Sequence, residues 1–192
     1  MNLLIDIGNS LTKVAISNKK KIIKELKFKK FEVSDLINII SEYNITFSAL
    51  SNVSKPANSL VKTLKEKTVF FSFNKKIKLP FILNHEINEV GHDRLALICA
   101  AKVDFPYDNV LVIDLGTCIT YDIKSNDNIY NPGGISPGIN MRIKSISNNA
   151  FNLFDTNLNY PKKLIADNTK TSLDIGVIGG VKFEIEGFIK QY

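Results

Sequence analysis

One pattern of seven residues occurs twice in this chain. Asp6-Ile7-Gly8-Asn9-Ser10-Leu11-Thr12 matches Asp114-Leu115-Gly116-Thr117-Cys118-Ile119-Thr120 in residue type at every position. Each copy follows an apolar run, Leu3-Leu4-Ile5 or Val110-Leu111-Val112-Ile113. Each therefore reads as a buried strand closed by Asp, a Gly turn, and a second strand. Chance resemblance between two short β-turn-β units is the competing reading. Agreement at seven consecutive positions favours an internal duplication. A duplicated unit that opens in strands and continues into helices restricts the fold to α/β with two related halves.

The remaining pattern fits that frame. Strands are expected at Leu11–Ser17, Ile22–Phe28, Thr46–Leu50 and Thr68–Phe71, with a polar turn at Asn18–Lys21 and a basic loop at Asn74–Lys78. Ser34 is placed to cap a helix over Asp35–Tyr43, with Leu36, Ile37, Ile39 and Ile40 on one side. Pro56 marks the start of a second helix running to Lys65. The small apolar run Arg94–Lys102 predicts a buried helix joining the halves, closed by Pro106. Strands follow at Asn109–Asp114 and Ile119–Ile123, with a turn at Asn126-Asp127-Asn128. Gly133–Gly138 reads as a loop leading into a helix over Ile139–Asn148, and a last helix is expected over Ser172–Lys190. The expected units are 1–106 and 107–192.

Composition narrows the class without naming the chemistry. With 44% hydrophobic residues over 192 positions, disorder is excluded as the main state. The two cysteines, Cys99 and Cys118, do not make a disulfide scaffold and suit a reducing compartment. No apolar run approaches the roughly 20 residues of a membrane span. Asp6 interrupts the stretch where a signal peptide needs apolar residues. A cytoplasmic protein with no membrane partner is expected. The net charge of +6 comes from 23 Lys against 2 Arg, beside 26 Ile and 21 Asn. That bias suits an AT-rich coding sequence, so no nucleic-acid partner is inferred from charge. The lysines Lys19–Lys21, Lys24, Lys27, Lys29 and Lys30 read as a solvated basic hairpin. No Cys/His spacing suits a structural zinc site.

The repeated turn carries chemistry. Gly lets backbone N–H groups approach phosphate oxygens, and the following Asn or Thr adds a side-chain donor. Asp at the strand end can hold Mg²⁺, directly or through water. Two such turns can face each other and grip one nucleotide's phosphates. Lys13 stands where a cation could neutralise phosphate charge, a solvated surface lysine being the alternative. Gly91-His92-Asp93-Arg94 sets a carboxylate beside a guanidinium at a helix start. Asp can take a proton from an alcohol, and Arg can fork onto a carboxylate or phosphate. A helix-capping Asp with a local ion pair is the plainer reading of that tetrad. The Gly133–Gly138 loop precedes a helix N-terminus, which favours anions, or is a plain turn.

Together these motifs resemble the type III pantothenate kinases, within the superfamily of acetate and sugar kinases, actin and heat-shock chaperone ATPases. The family's D-x-G-N-[ST]-x-x-K stands at Asp6–Lys13 and its G-x-D-R at Gly91–Arg94. Its D-x-G-T-[AC]-x-T-x-D stands at Asp114–Asp122. Its G-G-x-I-x-P-G aligns with Pro132–Gly138, with Pro in place of the first Gly, and its N-T with Asn168-Thr169. The resemblance implies duplicated ribonuclease H-like domains with mixed sheets and flanking helices. It implies ATP-dependent phosphorylation of pantothenate, the first step of coenzyme A biosynthesis. ATP would meet Asp6, Ile7, Gly8, Asn9, Ser10, Leu11, Thr12, Lys13 and Thr117. Asp6 would organise Mg²⁺, and Asp114 would hold a monovalent cation, K⁺ or NH₄⁺. Asp93 would be the catalytic base. Gly91, His92, Asp93, Arg94 and Thr169 would line the pantothenate site, Arg94 toward its carboxylate and His92 as a spacer. A homodimer is implied.

Three departures accompany the match. Asn84 stands where the family commonly has Tyr, and Pro132 where it has Gly. Family chains usually continue past the last helix to a further strand and a T-G-G turn, so the second unit is expected to be incomplete. A non-catalytic regulatory member of the family and a kinase for another small hydroxyl acid are the alternative readings.

Overall fold

The computed structural model describes residues 1–149 and 157–192. Strands β1 (Asn2–Ile7), β2 (Thr12–Asn18) and β3 (Lys21–Phe28) form an antiparallel meander. Helix α1 (Val33–Tyr43) leads to β4 (Phe47–Asn52), and α2 (Asn58–Lys67) to β5 (Val69–Ser72). Both later strands pair in parallel, giving the order β3-β2-β1-β4-β5. Strand side chains alternate in direction, so Leu3, Ile5, Val14, Ile16 and Leu50 share one face. That face is buried against Leu36 and Ile39 of α1 and Leu60 and Leu64 of α2. The intervening positions, including Asp6, Lys13, Ala49 and Ser51, line the other face and a cavity of about 640 Å³.

The expected cap of α1 is displaced. The helix begins at Val33, and the Asp35 carboxylate accepts from the Glu32 backbone N–H at 2.9 Å. Ser34 lies inside the first turn, so it cannot cap it. Ile37 is 41% exposed, because the buried stripe follows the three-residue step from Leu36 to Ile39. Asn44 ends the helix in the left-handed region at φ 48°, with its N–H on the Ile40 carbonyl.

The second sheet repeats the first meander. β7 (Val110–Leu115), β8 (Cys118–Lys124) and β9 (Ile129–Pro137) run antiparallel, and β6 (Ile82–Leu83) adds in parallel to β9. The order is β6-β9-β8-β7. The chain thus enters the second sheet with residues that precede position 107. Helix α3 (His92–Asp104) packs against β4 of the first sheet and against β7 and β8 of the second. Leu95 and Ile98 of α3 are fully buried in a core with Phe81, Val90 and Tyr130.

Gly133–Gly138 is not the loop its composition suggests. Residues through Pro137 belong to β9, with Thr120 opposite Ile135 and Cys118 opposite Pro137. A register shift between Thr120 and Asp122 places an irregularity in β8. A Cβ on Gly133 would overlap the Tyr121 carbonyl oxygen. The glycine therefore admits a close backbone approach within a strand.

Helix α4 (Ile139–Asn149) follows, then α5 (Thr169–Leu173), a π-turn over Asp174–Gly179, and α6 (Gly180–Gln191). The last helical segment so begins at Asn168, which caps it through Thr171 N–H at 3.0 Å, and it carries a wide turn that periodicity did not predict. α6 closes a third core, with Val181 and Phe188 on Ile119 and Tyr121. Among the described residues no helix is long and apolar enough to cross a membrane.

Candidate active site

The two repeated turns meet. Ser10 Oγ of the first lies 3.1 Å from Thr117 Oγ1 of the second. The copies are not identical in geometry. In the first, Asp6 stands opposite Lys13, and Gly8 N–H donates to the Leu11 carbonyl. In the second, Asp114 stands opposite Thr120, and Gly116 N–H donates to the Cys118 carbonyl. The first turn is thus one residue longer, which gives Lys13 the cross-strand place beside Asp6. Asn9, Ser10, Leu11 and Lys13 are exposed at the junction, while Thr12 is buried and Ile7 and Gly8 are half-buried.

Four carboxylates and one ammonium influence one another here. Burial pushes the Asp6 carboxyl above its ordinary range; the Lys13 charge opposes that and the Asp93 charge adds to it. Asp114 is pushed up by burial in the same way, with Lys13 opposing and Asp93, Asp6 and Asp122 reinforcing. Asp93 and Asp114 come from different halves of the chain. Asp93 opens α3, where its Oδ1 accepts from Arg94 N–H at 2.8 Å. A Cβ on Gly91 would overlap that same Oδ1, so glycine at this position leaves room for the carboxylate. His92 packs its ring 5.7 Å from Phe73, and burial lowers its basicity against the pull of Asp93. Its Nδ1 is buried without a hydrogen-bond partner among the described residues.

Arg94 uses its planar fork inside the protein. Nε donates to Asp122 Oδ2 at 2.9 Å, and Nη2 to Asp122 Oδ1 at 2.6 Å and to the Gly133 carbonyl at 3.1 Å. Tyr130 OH donates to Asp122 Oδ1 at 2.7 Å. Asp122 and Tyr130 are fully buried. Burial works against the Arg94 charge, but the Asp122 pairing holds the guanidinium above its ordinary basicity. Burial and Asp122 likewise push the Tyr130 phenol up. Asp122 closes the second phosphate motif in sequence, but its pairing with Arg94 is not part of that motif, and Tyr130 belongs to none. A signal existed: Asp122 interrupts an apolar strand, and a carboxylate there needs a buried partner.

Thr169 is the first residue of α5. No hydrogen bond among the described residues ties it to Asp93 or Arg94. For Mg²⁺, the donor chemistry fits at Asp6: Oδ1 is buried without a hydrogen-bond partner among the described residues, and a hard cation takes carboxylate oxygen. No group of three metal-ligating side chains is gathered among the described residues. Mg²⁺ bound through one or two carboxylates and substrate phosphates needs none.

The sequence profile described as type III pantothenate kinase matches residues 2–191. The chain belongs to the type III pantothenate kinase family. Proteins named type III pantothenate kinase include one from Christiangramia forsetii, 37% identical across all of this chain and 80% of that protein. One from Flavobacterium johnsoniae is 34% identical over the same shares. A solved structure titled as a conserved putative Baf family transcriptional activator from Campylobacter jejuni matches with a TM-score of 0.59 and 26% identity, over 96% of this chain and 78% of that one. Membership of the kinase family accounts for two mixed sheets flanked by helices, each opening with an Asp-x-Gly turn.

Proposed function

We propose that this chain transfers the γ-phosphoryl group of ATP to the primary hydroxyl of pantothenate, giving 4'-phosphopantothenate and ADP, the first step of coenzyme A biosynthesis. The observation that carries the reading is the meeting of both phosphate-type turns beside Asp6, Lys13, Asp93 and Asp114. Phosphoryl transfer needs positioning and charge neutralisation more than covalent chemistry, and this group of residues supplies both.

In this reading the bond from the pantothenate oxygen to Pγ forms as the bond from Pγ to the β-γ bridging oxygen breaks. The hydroxyl proton goes to the Asp93 carboxylate. Backbone N–H groups around Gly8 and the side chains of Asn9, Ser10 and Thr117 donate to phosphate oxygens, with Ile7, Leu11 and Thr12 shaping the turn. Lys13 balances phosphate charge. Asp6 would hold Mg²⁺, which would neutralise phosphate charge, and Asp114 would hold the monovalent cation, K⁺ or NH₄⁺. Gly91, His92 and Thr169 border the acceptor. Arg94 reaches its carboxylate with Nη1, which takes no part in the Asp122 fork. The protein works as a homodimer in the cytosol.

The test is an ATP- and Mg²⁺-dependent assay with pantothenate, with and without K⁺ or NH₄⁺. Turnover that falls at least about 100-fold in Asp93→Asn, the scale of a lost general base, supports the reading. Nucleotide binding without turnover on pantothenate, or near-wild-type turnover in Asp93→Asn, overturns it.

A further inference from the structure

The base-bearing end of α3 is attached to the second sheet at one buried point. Arg94 N–H holds the Asp93 carboxylate, and the Arg94 side chain forks onto Asp122 of β8. Asp122 Oδ1 also accepts from Tyr130 of β9, and Arg94 Nη2 from the other side holds the Gly133 carbonyl of β9. Two strands of the second half therefore fix the first turn of the helix that carries Asp93. Asp114, the next-to-last residue of β7, belongs to that same sheet. The distance between the base and the second phosphate turn is thus set through Arg94 and Asp122.

We propose that Asp122 is a positioning residue, which through Arg94 sets Asp93 against the second phosphate turn. The physical reasons are burial and geometry. A fully buried carboxylate that accepts from three donor groups, Nε and Nη2 of Arg94 and the Tyr130 hydroxyl, is held in one orientation. A fork of two N–H donors on one carboxylate fixes a plane as well as a distance, which a single contact does not. Losing that fork leaves a buried guanidinium unpaired, and it must rotate toward another acceptor. The nearest change is to the turn of helix bearing Asp93. A displacement of about 1 Å at a reacting group can cost about 100-fold in rate.

The inference rests on Asp93 being the base, and the experiment separates the two. Asp122→Asn keeps the shape and removes the charge. Its kcat is expected to fall about 100-fold while KM for ATP stays within about twofold, since the phosphate turns are untouched. At saturating pantothenate, Asp122→Asn should cost nothing further in kcat in the Asp93→Asn background, because the contact of Arg94 with the acceptor's carboxylate then enters KM for pantothenate alone. A purely structural role would lower kcat equally in both backgrounds. Tyr130→Phe removes one of the bonds to Asp122 and should give an intermediate loss with the same split. If Asp122→Asn does not fold, Tyr130→Phe decides on the same two readouts. Unchanged kcat in the folded variant, or equal losses in both backgrounds, overturns the positioning role. Near-wild-type turnover in Asp93→Asn alone overturns the base reading instead.

Discussion

Ser10 Oγ and Thr117 Oγ1 lie 3.1 Å apart, although 107 positions separate them in the chain. Each belongs to one copy of the duplicated turn. Their contact brings two turns of common local type to a single place where one triphosphate can meet both.

The hydroxyl pair is exposed, so removing it should leave the ligand-free fold within about 0.5 kcal/mol. Hydrogen bonds to charged phosphate are worth about 1.5–3 kcal/mol. Thr117→Val and Ser10→Ala should therefore each lower kcat/KM for ATP by about 10-fold or more. The melting temperature without ligand should not move. The rise in melting temperature on adding an ATP analogue with Mg²⁺ should shrink in both. Normal ATP affinity in both variants would remove these side chains from the phosphate site.

Asp6 and Asp114 both have carboxyls raised by burial above the ordinary 3.8. A raised carboxyl binds its proton more tightly in the folded chain than in the unfolded one. Its stabilising contribution is complete below pH 3.8 and is lost as pH rises through the folded value. At neutral pH the ligand-free protein thus carries buried charge that destabilises it. Asp6→Asn and Asp114→Asn should raise the melting temperature at neutral pH while abolishing activity. Thermal unfolding from about pH 4 to about pH 8 should show that advantage growing with pH and then levelling. An advantage that shrinks with rising pH would contradict the assignment of burial as the cause.

The local motifs were legible because their chemistry sits within a few adjacent residues. Asp6 to Lys13, Gly91 to Arg94 and Asp114 to Thr120 could be read as units, and the meander repeated in both sheets follows from the first and third. What could not be read were pairings made by the fold. Arg94 announced a fork, but its acceptor lies 28 positions away on β8. Gly133 and Pro137 announced a turn, because glycine and proline usually punctuate. Instead Gly133 admits the Tyr121 carbonyl, and a Cβ on Gly134 would stand 3.1 Å from the Phe188 ring. Neither neighbour is visible from the glycine's own surroundings in sequence.

The second arginine has a similar hidden partner. Glu184 of α6 accepts from Arg142 Nη2 at 2.5 Å, from Tyr121 OH at 2.8 Å, and from the Ser136 hydroxyl. It thereby ties α6 to α4, β8 and β9. Burial pushes the Glu184 carboxyl up, but the bonds from Ser136, Arg142 and Tyr121 together hold it below the ordinary value. Burial and Glu184 in turn raise the Tyr121 phenol to about 12, so it remains a donor at neutral pH. Glu184→Ala leaves those donors without their acceptor and should destabilise by about 1–3 kcal/mol. A lowered carboxyl contributes stability above its unfolded value of 4.5, and that contribution is lost as pH falls through the folded value. The deficit of Glu184→Gln measured by chemical denaturation should accordingly narrow on acidification. A deficit independent of pH would show that the carboxylate charge adds nothing.

Gly91 offers the sharpest separation of activity from stability. Its φ of −56° suits any residue, so alanine introduces no backbone strain. The added Cβ meets the Asp93 carboxylate and stands 3.5 Å from Val53 Cγ1. Only the first of these contacts is too close, and the carboxylate can rotate away from it. Gly91→Ala should then leave the melting temperature unchanged or slightly raised, since alanine also restricts the unfolded chain. The displaced carboxylate should lower kcat by about 100-fold with KM for ATP unaffected. The double change Gly91→Ala with Asp93→Asn should give the rate of Asp93→Asn alone, because no base is left to displace. A Gly91→Ala enzyme with full kcat would mean that the Asp93 carboxylate turns elsewhere in the reacting complex.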